Sequence, residues 1–169
     1  MNYFELYNLP VSFLPNKQLV KERFYELSRK YHPDFFTNTS PEEQADILEK
    51  SSIINKAYKV FQNKDETIKY ILQQKDLLAE EEKYLLPPDF LMDVMELNEQ
   101  LTEARMEGNN DQVKNIQNAI SNLQTQIYEP VKKTIEHYEE TLSSEKELLQ
   151  VKEYYYKKKY LNRILAAIS

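Results

Sequence analysis

Apolar residues recur at helical spacing along almost the whole chain. Val20, Phe24, Leu27 and Tyr31 follow at steps of four, three and four, which puts them on one stripe of a helix. Ile47, Ile54, Ala57, Tyr58 and Phe61 form a second stripe. Between the two lies His32-Pro33-Asp34. Proline lacks an N–H and clashes with the turn before it, so the first helix ends at or before His32. Two antiparallel helices packed through these stripes would hold a histidine and an aspartate at one tip, outside the core.

The remaining elements follow from caps and breakers. Residues 2–9 read as a short helix or turn closed by Leu9-Pro10. Asn16 is an N-cap for a helix over 17–31. Ser40-Pro41-Glu42-Glu43 is a capping box with proline at the first helical position, opening a helix that reaches residue 62. A fourth helix over 64–74 has Ile68, Ile71 and Leu72 for burial, and Pro87-Pro88 then punctuates the chain. The next helix spans 89–107 and stops at Gly108-Asn109-Asn110, a C-cap glycine, a turn and a new N-cap.

A long helix starts near Asp111 with Val113, Ile116, Ile120, Leu123 and Ile127 on one stripe. Val131, Ile135, Tyr138 and Leu142 continue it one position late, which predicts a single helix kinked at Pro130. Ser144 with Glu147 caps a last helix over 145–167. The expected fold is all-α: an N-terminal helical module over 1–75, then a three-helix bundle within 76–169.

Composition narrows the function. Glycine occurs once among 169 residues, which excludes glycine-rich phosphate-binding loops. Cysteine is absent, which excludes disulfides and thiolate metal sites, and the two histidines are more than a hundred residues apart. A net charge of −6 argues against nucleic acid as the main partner. No apolar run approaches the ~20 residues of a membrane span, and the N-terminus lacks signal-peptide character. No constellation for catalysis is recognisable, so the expectation is a protein without its own catalytic site, cofactor or metal.

Two surfaces stand out. The helix before the tip carries Lys17, Lys21, Arg23, Arg29 and Lys30 against Glu22 and Glu26. This is either a solvated basic face or a docking face for an acidic partner surface. On the 89–107 helix, ~100° per residue gathers Phe90, Val94, Leu97, Leu101 and Ala104 on the core side. Met92, Met95, Glu96, Glu99 and Glu103 gather opposite, with Leu91 on the flank. Scattered exposed apolar residues are common, but adaptable methionines beside a glutamate ladder suit a surface that grips another protein. Tyr154, Tyr155, Tyr156 and Tyr160 among Lys157, Lys158 and Lys159 read as bundle core with a solvated lysine face rather than a nucleic-acid site.

The tip His32-Pro33-Asp34, the basic helix before it and Ile54-Asn55-Lys56-Ala57-Tyr58 after it resemble a J-domain. Tyr3-Phe4-Glu5-Leu6 with Leu9-Pro10, and Pro88-Asp89-Phe90-Leu91-Met92 with Met95-Glu96-Leu97, narrow the resemblance to the HscB family of co-chaperones in iron–sulfur cluster assembly. It covers essentially the whole chain. The resemblance implies that His32, Pro33 and Asp34 stimulate ATP hydrolysis by an HscA/DnaK-type chaperone, with Lys21, Arg23, Arg29 and Lys30 as docking charges. It implies that the bundle holds an IscU-type scaffold protein through Leu91, Met92, Met95, Glu96, Glu99, Glu103 and Tyr156, the last standing where relatives carry phenylalanine.

The chain departs from the family pattern at Phe35, where relatives usually have lysine, and at Lys64 and Thr67, where they usually have proline and arginine. The lack of a targeting peptide and of a cysteine-bearing N-terminal segment implies a bacterial cytoplasmic form. Two other readings of the residues remain: a general J-protein whose bundle binds unfolded clients, and a helical adaptor in which the tripeptide is accidental.

Overall fold

The computed structural model describes residues 1–166. They are all-helical, with no strand among the described residues. The helices are α1 (Tyr3–Leu6), α2 (Lys17–Lys30), α3 (Pro41–Gln62), α4 (Lys64–Gln74), α5 (Pro88–Met106), α6 (Asn110–Tyr128), α7 (Lys132–Glu136) and α8 (Glu145–Ala166). Single 3₁₀ turns lie at Pro33–Phe36 and Glu129–Val131. The chain divides into two units: Met1–Gln74 with Glu136–Leu142, and Lys75–Ile135 with the chain from Ser143 onward.

In the first unit α2 and α3 form the expected hairpin. Asn16 Oδ1 accepts from the Leu19 N–H at 3.0 Å, and Ser40 Oγ from the Glu43 N–H at 3.2 Å. The two stripes meet where the rings of Phe24 and Tyr58 stack at 4.0 Å. Val20, Ile54, Ala57 and Phe61 are buried. The N-terminal turn is better anchored than a four-residue helix alone would be. Asn2 Oδ1 accepts from the Glu5 N–H, and Glu5 Oε2 accepts from the Asn2 N–H, a reciprocal capping box. Phe4 and Tyr7 then pack on Phe61, and the Tyr7 hydroxyl donates to the Ile54 carbonyl at 2.7 Å. Asn63 closes α3 and caps α4. From α4, Ile68, Ile71 and Leu72 are buried, as is Thr67, whose hydroxyl donates to the Val60 and Asn63 carbonyls.

The second unit is a three-helix bundle of α5, α6 and α8. Gly108 takes φ +67°, a left-handed conformation that glycine adopts without steric cost, and the Asn109 N–H donates to the Ala104 carbonyl to close α5. Asn109 Oδ1 in turn accepts from the Gln112 N–H and starts α6. Leu101, Ala104, Ile116 and Ile120 form one core cluster, with Leu97, Val113 and Leu165 against it. Val151 and Leu161 of α8 are fully enclosed. The Ser144 cap of α8 is present, with Oγ accepting from the Glu147 N–H at 3.2 Å.

One expectation fails. The helix beginning near Asp111 is interrupted at Pro130, where a kink is expected, but it does not reach residue 142. It ends at Tyr128, passes through the 3₁₀ turn and stops for good at Glu136. Val131 and Ile135 are buried as the stripe requires, but Leu142 is exposed. Tyr138 is buried in the first unit instead, edge-on to Phe13 at 4.9 Å. A tertiary contact outweighs continued helix here. The predicted end of the last helix at residue 167 lies outside the described residues.

Candidate functional site

The tip of the hairpin is built from the backbone outward. Tyr31 is the C-cap of α2, its N–H donating to the Leu27 carbonyl. His32 is extended (φ −73°, ψ 127°), the conformation that a residue before proline favours. Its Nδ1 accepts from the Asp34 N–H at 3.2 Å. With Nδ1 engaged as an acceptor, the neutral imidazole carries its proton on Nε2, directed away from that contact. Asp34 Oδ2 lies 3.6 Å from Nδ1, close enough to pair with the ring when it is protonated. Side-chain exposure is 51% for His32 and 86% for Asp34, so both are available to a partner.

Two features of the tip lay beyond the sequence reading. Gln44 of α3 reaches back, its amide donating to the Thr37 and Thr39 carbonyls at 3.0 and 3.2 Å. Phe35 is 72% exposed, its ring edge-on to His32 at 5.7 Å. Pro33, Phe36, Gln44, Ile47 and Leu48 line a shallow groove of about 360 Å³ beside Asp34.

The basic residues of α2 are spread over more than one flank of the helix. Lys21 and Arg29 are exposed on one flank, where Tyr25 stands between them. Arg23 pairs with Glu26 at 3.5 Å. Lys30 lies over the Tyr31 ring at 5.3 Å, and Lys50 of α3 lies over the same ring at 5.0 Å. Lys50 is a cation near the tip that the α2 count missed.

On α5 the core side is Phe90, Val94, Leu101 and Ala104, all buried. Met92 is 67% exposed and Met95 52%, with Glu96, Glu99 and Glu103 exposed beside them. Met106, 84% exposed, extends the same ridge by a further turn. It falls on this face at the same helical spacing and was legible in the sequence.

Leu91 and Tyr156 are set apart from that ridge but share a groove with each other, formed by the 82–86 segment and α8. Tyr156 is held firmly. Its ring stacks on Tyr84 at 4.7 Å, and its hydroxyl donates to Glu82 Oε2 at 3.1 Å. Lys152 Nζ donates to the other oxygen of Glu82 at 2.8 Å. That hydrogen bond, the largest influence, holds the Glu82 carboxyl below its usual range. Burial first, then the Glu82 contact, pushes the Tyr156 hydroxyl up to about 12. Of the tyrosine–lysine run, Tyr154 and Tyr155 are buried, Lys159 is exposed, and Lys157 lies over Phe90 at 5.4 Å.

No group of three or more histidine, cysteine, aspartate or glutamate residues among the described residues is placed to hold a metal ion. No described helix is long and apolar enough to cross a membrane.

The described residues thus form a helical hairpin presenting His-Pro-Asp at its tip, joined in one chain to a three-helix bundle. Residues 86–169 match the family model of the HSCB C-terminal oligomerisation domain. The co-chaperone protein HscB of Buchnera aphidicola subsp. Acyrthosiphon pisum is 37% identical over 142 residues, covering 83% of this chain and 80% of that protein. The homolog from Photobacterium profundum is 36% identical over 104 residues, and the match spans 61% of its length. Among solved structures, human co-chaperone protein HscB superposes with a TM-score of 0.76 at 26% identity, covering 99% of this chain and 80% of that one. Chaperone HscB from Vibrio cholerae, at 23% identity and a TM-score of 0.71 over 99% of this chain and 100% of that one, shares the fold. The chain belongs to the HscB co-chaperone family.

Proposed function

We propose that the first unit is a J-domain that stimulates ATP hydrolysis by an HscA/DnaK-type chaperone, and that the bundle delivers an IscU-type scaffold to that chaperone during iron–sulfur cluster assembly. The chain acts as an activator and contributes no catalytic group of its own. His32, Pro33 and Asp34 make the activating contact, with Lys21, Arg23, Arg29 and Lys30 as docking charges. Leu91, Met92, Met95, Glu96, Glu99, Glu103 and Tyr156 hold the scaffold. Linkage in one chain raises the concentration of scaffold and chaperone for each other, without any new contact between them. We place this activity in the bacterial cytoplasm.

The observation that carries the reading is the tip. His32 and Asp34 are exposed together, and the Nδ1 hydrogen bond fixes their mutual geometry rather than any burial. Such a pair is poor structural material and good recognition material. The test is steady-state ATP hydrolysis by the cognate HscA/DnaK-type chaperone, with and without scaffold. Wild-type chain raises the rate, scaffold raises it further, and His32→Gln removes the stimulation while keeping the helical circular-dichroism spectrum. Full stimulation by His32→Gln would leave the J-domain reading without its main support.

The exposed methionines of α5 would also suit an unfolded client, since flexible thioethers adapt to many shapes. Equal affinity for a denatured polypeptide and for the folded scaffold would favour that second reading.

A further inference from the structure

The groove beside Leu91 has the opposite charge from the neighbouring ridge of α5. It is walled by Tyr84, Leu85 and Leu86 on one side and by Tyr156, Lys159 and Arg163 of α8 on the other, enclosing about 370 Å³. Glu82 is the one carboxylate among its lining residues, and Lys152 neutralises it at 2.8 Å. Lys83, Lys159 and Arg163 therefore dominate the local field. The Arg163 guanidinium lies over the Tyr160 ring at 5.3 Å, and its planar fork of N–H donors matches a carboxylate in shape. Leu85, 91% exposed, adds an apolar contact beside these cations.

We propose that this groove binds an acidic segment of the scaffold protein, one carrying aspartate or glutamate next to an apolar residue. This deepens the scaffold-holding reading above and rests on it. Charge complementarity and the adjacency of groove and ridge favour this occupant. Leu91 lines the groove, and the next residue, Met92, opens the ridge, so one partner can cover both. Along that path the surface changes from cationic at Lys83, Lys159 and Arg163 to anionic at Glu96, Glu99 and Glu103. A partner with matching polarity docks in one direction only, because reversal sets like charges against each other. The groove thus sets orientation, while the methionines supply apolar contact.

The test is calorimetric titration of purified IscU-type scaffold into the full-length chain, comparing wild type, Lys159→Glu/Arg163→Glu and Met92→Ala/Met95→Ala at low and high salt. The charge reversal is expected to weaken binding at least ten-fold at low salt and much less at high salt, with an unchanged melting curve. A short acidic peptide (Leu-Asp-Glu-Phe-Glu), used as a direct probe, is expected to shift the NMR signals of Leu91 and Tyr156, and its lysine-substituted counterpart is not. Unchanged scaffold affinity in the charge-reversed chain, with affinity lost in the methionine variant, would overturn the groove and leave the ridge standing. Failure of the wild-type chain to bind scaffold at all would overturn both.

Discussion

The tip of the hairpin and the outer face of α5 both present their distinctive residues to solvent, yet they are held by different means. At the tip, geometry comes from individual hydrogen bonds: Asp34 N–H to His32 Nδ1, and the Gln44 amide to two loop carbonyls. On α5 it comes from helix periodicity, with Phe90, Val94, Leu101 and Ala104 buried behind the ridge. Each surface is therefore fragile in a different place. The tip depends on a few polar groups near the working residues. The ridge depends on a core on the far side of its helix, so its working residues are free to change without loss of fold.

That comparison breaks most visibly in the cores. Phe61→Ala removes the ring on which Phe4 and Tyr7 pack and should cost about 3–5 kcal/mol in chemical denaturation. Leu101→Ala in the bundle should cost about 2–5 kcal/mol, with ridge binding lost because α5 loosens rather than because a contact is gone. Next comes Gln44→Ala. It leaves the Thr37 and Thr39 carbonyls to water, should cost about 1 kcal/mol, and should speed amide hydrogen exchange across 35–39.

The Tyr156 clamp gives a smaller, pH-dependent effect. Its hydroxyl titrates at about 12 when folded, against 10.0 for the free group, so its contribution is complete below pH 10 and is lost as pH rises through 12. Glu82 behaves oppositely: its lowered value makes a contribution present above its usual 4.5 and lost as pH falls through the folded value. Tyr156→Phe should reduce the late tyrosinate absorbance step, to which Tyr7, Tyr70 and Tyr84 also contribute, and make the alkaline limb of stability less steep. The smallest effect is expected from Met92→Ala/Met95→Ala. Both side chains are more than half exposed, so stability should stay within about 0.5 kcal/mol. A clear drop in helicity would show the ridge to be structural.

Much of this was legible along the chain, because helices are written locally. Asn16, Ser40 and Ser144 cap where their neighbours indicate, Asn109 caps one position ahead of the expected Asn110, and the two sides of α5 separate by spacing alone. Asn2 with Glu5 was equally local, and the spacing of asparagine and glutamate could have shown it. What escaped was long-range. No glycine or proline lies between 132 and 144, and the stripe stops where Tyr138 packs on Phe13. Glu82 meets Lys152 and Tyr156 across 70 and 74 positions, a pairing no window can register. Gln44 is an unremarkable helix residue until the loop is seen folded against it.

The tip and the ridge carry separable tasks, and one crossed measurement decides whether they do. ATPase stimulation of the HscA/DnaK-type chaperone and direct affinity for the IscU-type scaffold are measured on the same two variants. His32→Gln should abolish stimulation and bind scaffold as tightly as wild type. Met92→Ala/Met95→Ala should stimulate normally without scaffold and lose the additional increase that scaffold brings. If either variant loses both properties while its melting curve is unchanged, tip and ridge are not independent, and the account is wrong.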